Sequence, residues 1–151
     1  MRVAFAATAA AIALLGSAPA WAGEGHIDIH TGLGWSDGLP SKALAGGSVG
    51  YDWNKGPVFI GVEQSIDKVL ISDSDARWGT SARIGTQVSP GFKVYATGGY
   101  NYGQGPDGTD IGAGVEKSYG PIYGRVEYKH FFNNDGAIDT NAATVGVGIH
   151  F

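Results

Sequence analysis

The sequence has 151 residues, a formal net charge of -4, 26 glycines and no cysteine. An acidic chain of this size is a poor partner for nucleic acid, and without cysteine it has neither disulfide staples nor a thiol for a lipid anchor. Its stability has to come from burial or from a membrane.

The chain opens on Met1-Arg2, runs through apolar residues 3–15 and reaches Ala20-Trp21-Ala22. A basic start, a short apolar stretch and an A-x-A site predict a secretory signal peptide, residues 1–22, cleaved after Ala22. The run is too short for a spanning helix, which needs about 20 apolar residues. Residues 23–151 are then expected to form one domain, and no helical periodicity appears in them.

Alternation with period two predicts a strand over residues 26–35, with Ile27, Ile29, Leu33 and Trp35 opposite His26, Asp28, His30, Gly32 and Gly34. Residues 43–53 set Val49, Tyr51 and Trp53 against Ser48, Gly50 and Asp52. A Gly-Pro turn precedes residues 58–64, where Val58, Ile60 and Val62 oppose Gly61 and Glu63. Residues 65–76 read as an acidic loop. Residues 77–88 then place Trp78, Ala82 and Ile84 opposite Ser81, Arg83 and Gly85, and Pro90-Gly91 turns the chain.

In residues 92–102, Val94, Ala96, Tyr100 and Tyr102 oppose Tyr95, Thr97 and Asn101. Residues 110–117 oppose Ile111, Ala113 and Val115 to Gly112, Gly114 and Glu116; residues 122–130 oppose Val126 and Tyr128 to Arg125, Glu127 and Lys129. The last strand, residues 142–151, carries Ala143, Val145, Val147, Ile149 and Phe151 on one parity and Thr144, Gly146, Gly148 and His150 on the other. Eight strands joined by alternating long and short links predict an all-β, eight-stranded antiparallel up-and-down barrel.

Alternation alone fits two barrels. A soluble barrel turns its apolar face inward around an apolar ligand; a transmembrane barrel turns it outward to lipid. The second is favoured. Trp35, Trp53, Trp78 and Tyr102, with Phe151, sit on the apolar parity near strand ends, where an aromatic girdle at the membrane interfaces belongs. The opposite parity collects the charges and many glycines, and an eight-stranded interior is just wide enough for side chains to fill.

The closing strand ends on Phe151, and Val147, Ile149 and Phe151 resemble the assembly signal of outer-membrane barrels. Tyr123-Gly-Arg-Val-Glu-Tyr128, a loop, and then Val145-Gly-Val-Gly-Ile-His-Phe151 resemble the last hairpin of the small outer-membrane β-barrel family, which includes the OmpA transmembrane domain, opacity proteins and related porin-family barrels. The resemblance implies an outer-membrane, non-enzymatic barrel, monomeric and without cofactor. Its partners would be membrane lipid, the barrel-assembly machinery and a surface ligand held by the outer loops. The quoted residues carry no peptidoglycan-binding motif, so an anchoring role of the full OmpA type is not among the expectations the resemblance supports. With both termini at the periplasmic end, the short turns are periplasmic and the long links face outward.

Four groups of residues are candidates for function. Glu63, Arg83, Glu116, Arg125, Glu127 and Lys129 are expected to form a lumen ion network, because buried charges are costly unless paired. Such a network is either a structural plug or the gate of a narrow channel for ions or small solutes. His26, Asp28 and His150 are candidate metal ligands near the periplasmic mouth, competing with ordinary polar filling. Asp37, Asp67, Asp73, Asp75, Asp107, Asp110, Asp135 and Asp139 are assigned to the outer loops, without calcium-loop spacing. Ser36, Asp37 and His130 are rim residues of hydrolytic type, but no spacing marks a nucleophile and base. Residues 103–108 match G-x-G-x-x-G by letter; they contain Pro106 and open no helix, so the dinucleotide reading fails.

Overall fold

The computed structural model describes residues 23–72, 74–103, 105–134 and 136–151. The expected signal peptide lies outside the described residues, as do Asp73 and Asp135 of the acidic loops. The described chain forms eight strands: β1 Gly23–Trp35, β2 Lys42–Lys55, β3 Val58–Val69, β4 Ala76–Ser89, β5 Phe92–Gly103, β6 Gly108–Tyr119, β7 Ile122–Asn133 and β8 Thr140–His150. Each pairs antiparallel with the next, and β8 closes the sheet on β1. No helix among the described residues is long and apolar enough to cross a membrane, which has no bearing on a barrel.

Closure runs from His26 opposite His150 to Trp35 opposite Asn141. The Gly25 N–H donates to the Phe151 carbonyl at 2.8 Å, and the Phe151 N–H returns the bond at 2.9 Å. The last residue therefore extends the seam by one rung, and no strand edge is left open. Three two-residue turns join β2–β3, β4–β5 and β6–β7 at the end that holds both Gly23 and Phe151. Gly56, Gly91 and Gly120 take φ of 62°, 67° and 62° there, a conformation that side chains resist. Turn carbonyls also accept bonds from adjoining strands: Gln87 N–H donates to Pro57 O, and His150 N–H to Pro121 O, both at 2.7 Å. A register shift between Gln87 and Ser89 leaves Val88 as an extra residue in β4, a bulge at the strand's turn end. The four longer links gather at the opposite end.

Several strands outrun their predicted ends. β3 continues through the segment read as an acidic loop, because the alternation persists: Ser65 and Asp67 follow Glu63 inward, while Ile66 stays outward. Asp67 is thus a strand residue rather than a loop carboxylate. Asp110 is corrected in the same way; it lies in β6 and is only 2 % exposed. β7 also extends, to Asn133, where the sequence suggested a loop from residue 131.

The decisive feature is which parity lies inside. Phe59, Tyr95, Tyr123 and Ala142 are the buried apolar side chains among the described residues, while Asp28, Asp52, Glu63, Arg83, Glu116 and Arg125 are buried with them. Ile29 (69 % exposed), Ile84, Val126, Val145 and Val147 stand outward. Ordinary globular folds bury these residue types the other way round. Inward glycines make this interior possible. A Cβ on Gly50 would sit 2.5 Å from the His26 ring, and one on Gly148 would sit 2.6 Å from the Tyr123 ring. Both side chains lie across the lumen only because those positions carry none.

Candidate functional site: the lumen and its outer vestibule

The lumen is filled by charged layers stacked upward from the turn end. Lys93 reaches Glu24 at 2.9 Å, and Asp52 and Glu116 at 3.7 Å. His150 lies between Glu24 (3.0 Å) and Glu116 (3.2 Å). Above them Arg83 joins three carboxylates: Glu116 at 3.1 Å, Asp52 at 3.3 Å and Glu63 at 3.6 Å. Its guanidinium lies over the Tyr95 ring, 4.3 Å from the centroid, so the apolar residues of the interior also support its charge.

Arg125 holds the next level. It donates to Glu63 at 2.6 Å and to Ser48 Oγ at 3.1 Å, and it stands 3.2 Å from Asp28. Asp28 also accepts from the Ser48 hydroxyl (2.9 Å) and the Tyr123 hydroxyl (2.8 Å), and meets His30 Nδ1 at 3.1 Å. Four strands therefore converge on one carboxylate pair. Register brings them there: Asp28 pairs across β1 and β2 with Ser48, while Arg125 reaches in from β7.

Of the six predicted lumen charges, Glu63, Arg83, Glu116 and Arg125 are linked directly through ion pairs. Glu127 and Lys129 form their own pair at 3.3 Å, tied back through the Tyr95 hydroxyl, which donates to Glu127 at 2.8 Å. Glu24 and Lys93 were not singled out in the sequence, and Asp52 was placed on the inward parity without being assigned to the network. Lys93 shares the parity of Tyr95 and Thr97, so its inward position was readable. Glu24 precedes the predicted start of β1.

His26, Asp28 and His150 do not converge. His26 Nε2 faces Glu63 at 3.2 Å, Asp28 serves Arg125 and its neighbours, and the two imidazole rings stand 6.4 Å apart. Among the described residues no group of three or more His, Cys, Asp or Glu is arranged around a metal position. At the rim, Ser36 meets Thr140 at 3.1 Å, whereas His130 turns to Asn141 (2.8 Å) and Asp139 (3.6 Å). Hydroxyl and imidazole face different partners there.

Of the aromatic residues on the outer parity, Trp53 packs on Tyr51 and Phe151 is 74 % exposed, both toward the turn end. Trp35, beside Tyr128, and Trp78, opposite Tyr102, lie toward the loop end. Val147 and Ile149 stand outward on β8 below the loops.

Above Glu63 and Arg125 the lumen widens into a cavity of about 520 Å3 that reaches the longer links. Lys129 and His30 line it above Arg125, Arg77 lies beside Phe131 near the loop ends of β4 and β7, and Leu39 and Ile71 add wall from the links.

No protein-family model matches the sequence, and no curated protein matches it. Solved structures do match the fold. The attachment invasion locus protein Ail of Yersinia pestis aligns at 14 % identity over 85 % of this chain and 99 % of its own, with a TM-score of 0.64. The N-terminal β-barrel domain of Pseudomonas aeruginosa OprF aligns at 16 % identity over 86 % and 100 %, with a TM-score of 0.61. Neisserial surface protein A aligns at 14 % identity over 85 % and 97 %, with a TM-score of 0.58. The fold is that of a small outer-membrane β-barrel. Within that fold the charged layers occupy the interior of the barrel, and the vestibule opens at the loop end, with described residues of the first three longer links on its wall.

Proposed function

We propose that this chain is an integral outer-membrane barrel whose lumen is closed by its ion network, and that it acts at the cell surface through its outer loops or by supporting the envelope. The observation that carries this reading is the inverted partition of residues, with Arg83 and Arg125 buried among carboxylates while Ile29, Ile84 and Val126 face outward. An apolar belt of that kind belongs in lipid, and ion pairs of that kind belong in a small barrel's interior. A soluble barrel binding an apolar ligand would require the opposite partition.

In this reading residues 1–22 direct export and are removed. The outward residues Val147 and Ile149, with Phe151, serve the assembly machinery, and the barrel is a monomer without catalytic chemistry. The named proteins of the same fold, a surface protein and an attachment invasion locus protein, favour work at the surface. A second reading, a narrow channel, draws on the outer cavity, which descends as far as Glu63 and Arg125. It would require that pair, 2.6 Å apart, to separate.

Membrane extraction tests the first reading. The protein should remain with membranes through alkaline carbonate and leave them only in detergent. Unheated samples should migrate differently from boiled ones in a denaturing gel. Release by carbonate together with heat-independent migration would overturn the proposal.

A further inference from the structure

The outer vestibule has an unequal charge economy. Three of its carboxylates are occupied: Asp67 by His30 Nε2 at 2.7 Å, Glu63 by Arg125 at 2.6 Å, and Glu127 by Tyr95 and Lys129. Arg77 differs. Its guanidinium donates to two neutral acceptors, Pro106 O at 3.0 Å and Asn133 Oδ1 at 3.3 Å, and its Nε is buried without a hydrogen-bond partner. The group lies over the Phe131 ring at 5.3 Å, which holds its plane against the cavity wall. Lys129, which lines the same cavity, has among the described residues one carboxylate within ion-pair distance, Glu127 of its own strand at 3.3 Å. Asp110, buried and with its Oδ2 taken by Asn101, acts electrostatically on both cations, and Asp107 and the cross-strand Asp67 act on Arg77, yet among the described residues none of the three is within ion-pair distance of the Arg77 guanidinium.

Beside Arg77 the wall is apolar. Phe131, with Leu39 and Ile71 from the links, supplies it, and Lys42, Lys68 and Asp75 also line the cavity. A cavity of about 520 Å3 lies within the roughly 300–1,000 Å3 typical of small-molecule sites, and apolar walls with a few convergent polar groups are their usual construction. Arg77 can recognise a carboxylate or a similar oxyanion through paired N–H donors.

We infer that the vestibule binds a small amphiphile, an apolar chain ending in a single anionic head, with the head on Arg77 and Lys129 and the chain against Leu39, Ile71 and Phe131. This rests on the membrane-barrel reading above and gives the loop-side face a ligand class. A free carboxylate amphiphile and the anionic end of a lipid share this chemistry. The closed floor of Glu63 and Arg125 makes the vestibule a binding site rather than a passage.

The test uses the full barrel, residues 23–151, in phosphatidylcholine nanodiscs, followed by backbone amide shifts during titration with octanoate, octylammonium and octanol. Octanoate should give saturable shifts around Arg77, Lys129 and Phe131, and octylammonium none there. Arg77→Gln should weaken octanoate binding by about tenfold or more, the scale of losing a charge-assisted hydrogen bond. Octanol should bind more weakly than octanoate in the unmodified barrel. Equal octanoate affinity in Arg77→Gln, or equal affinity for octylammonium, would overturn the inference. Shifts confined to outward residues such as Ile84 and Val126 would also overturn it, as partition into lipid only. A well-dispersed barrel spectrum in the nanodisc with no octanoate shifts would refute the ligand site alone; failure to enter the nanodisc would refute the membrane reading instead. A lipid source is separated from a free one by repeating the titration in nanodiscs containing phosphatidylglycerol, where prior occupancy should weaken octanoate binding.

Discussion

Arg125→Ala is expected to lower the stability of the folded barrel by about 3–5 kcal/mol, the usual cost of removing one partner from a buried ion pair. The substitution strands Glu63, which sits 2.6 Å from the guanidinium, and takes a cation from Asp28 at 3.2 Å; both carboxylates are almost fully buried. Arg83, 3.6 Å from Glu63, and the hydroxyls of Ser48 and Tyr123 on Asp28 offset part of the loss. The double variant Arg125→Met with Glu63→Gln should therefore recover stability relative to Arg125→Met alone, since it removes the stranded charge together with its partner. Urea-induced unfolding in lipid vesicles measures both effects. An unchanged midpoint for Arg125→Ala would remove the network as a source of stability.

Ile84→Arg is the second large effect. Ile84 is outward on β4, 57 % exposed and several residues from the turn end. In lipid a cationic side chain at mid-depth costs about 2–4 kcal/mol, falling to about 0–1 near the interface. Tyr119→Arg, beside the turn at residues 120–121, supplies the shallow control. The expected result is a marked loss of folding free energy in vesicles for Ile84→Arg and little for Tyr119→Arg. If the outer face met water, both arginines would be nearly neutral, as surface substitutions usually are. Equal, small effects would therefore contradict a lipid-facing belt.

The side of the sheet on which each residue lies was legible because strand side chains alternate with period two. Ile27 against Asp28, and Val126 against Arg125, needed no other information. Strand ends were less legible. Ser65, Asp67 and Lys68 have loop-like composition, and only the pairing of Ile66 with Trp78 and Asp67 with Arg77 reveals β3 running on to Val69. Asp110 was misplaced for the same reason: a polar residue beside a glycine-rich link looks exposed until its lumen neighbour, Asn101, is known.

Contacts within the lumen were legible as a class but not as pairs. Parity places Arg83 and Glu116 inside. It cannot say that two strands separated by β5 meet there, because that depends on barrel closure and stagger. His26, Asp28 and His150 show the converse. They are neighbours by register, yet Glu63, Arg125 and Glu116 offer each a partner in another direction. The vestibule was less legible still, since Leu39, Ile71 and Pro106 come from three separate links that carry no common pattern.

Planar-bilayer recording on the purified, refolded protein tests the closed lumen most directly. With Arg83 bridging three carboxylates and Arg125 bound to Glu63, insertion should add no discrete current steps above baseline at moderate voltages. Reproducible steps from the unmodified barrel, scaling with salt concentration, would contradict the plug and establish the narrow channel in its place.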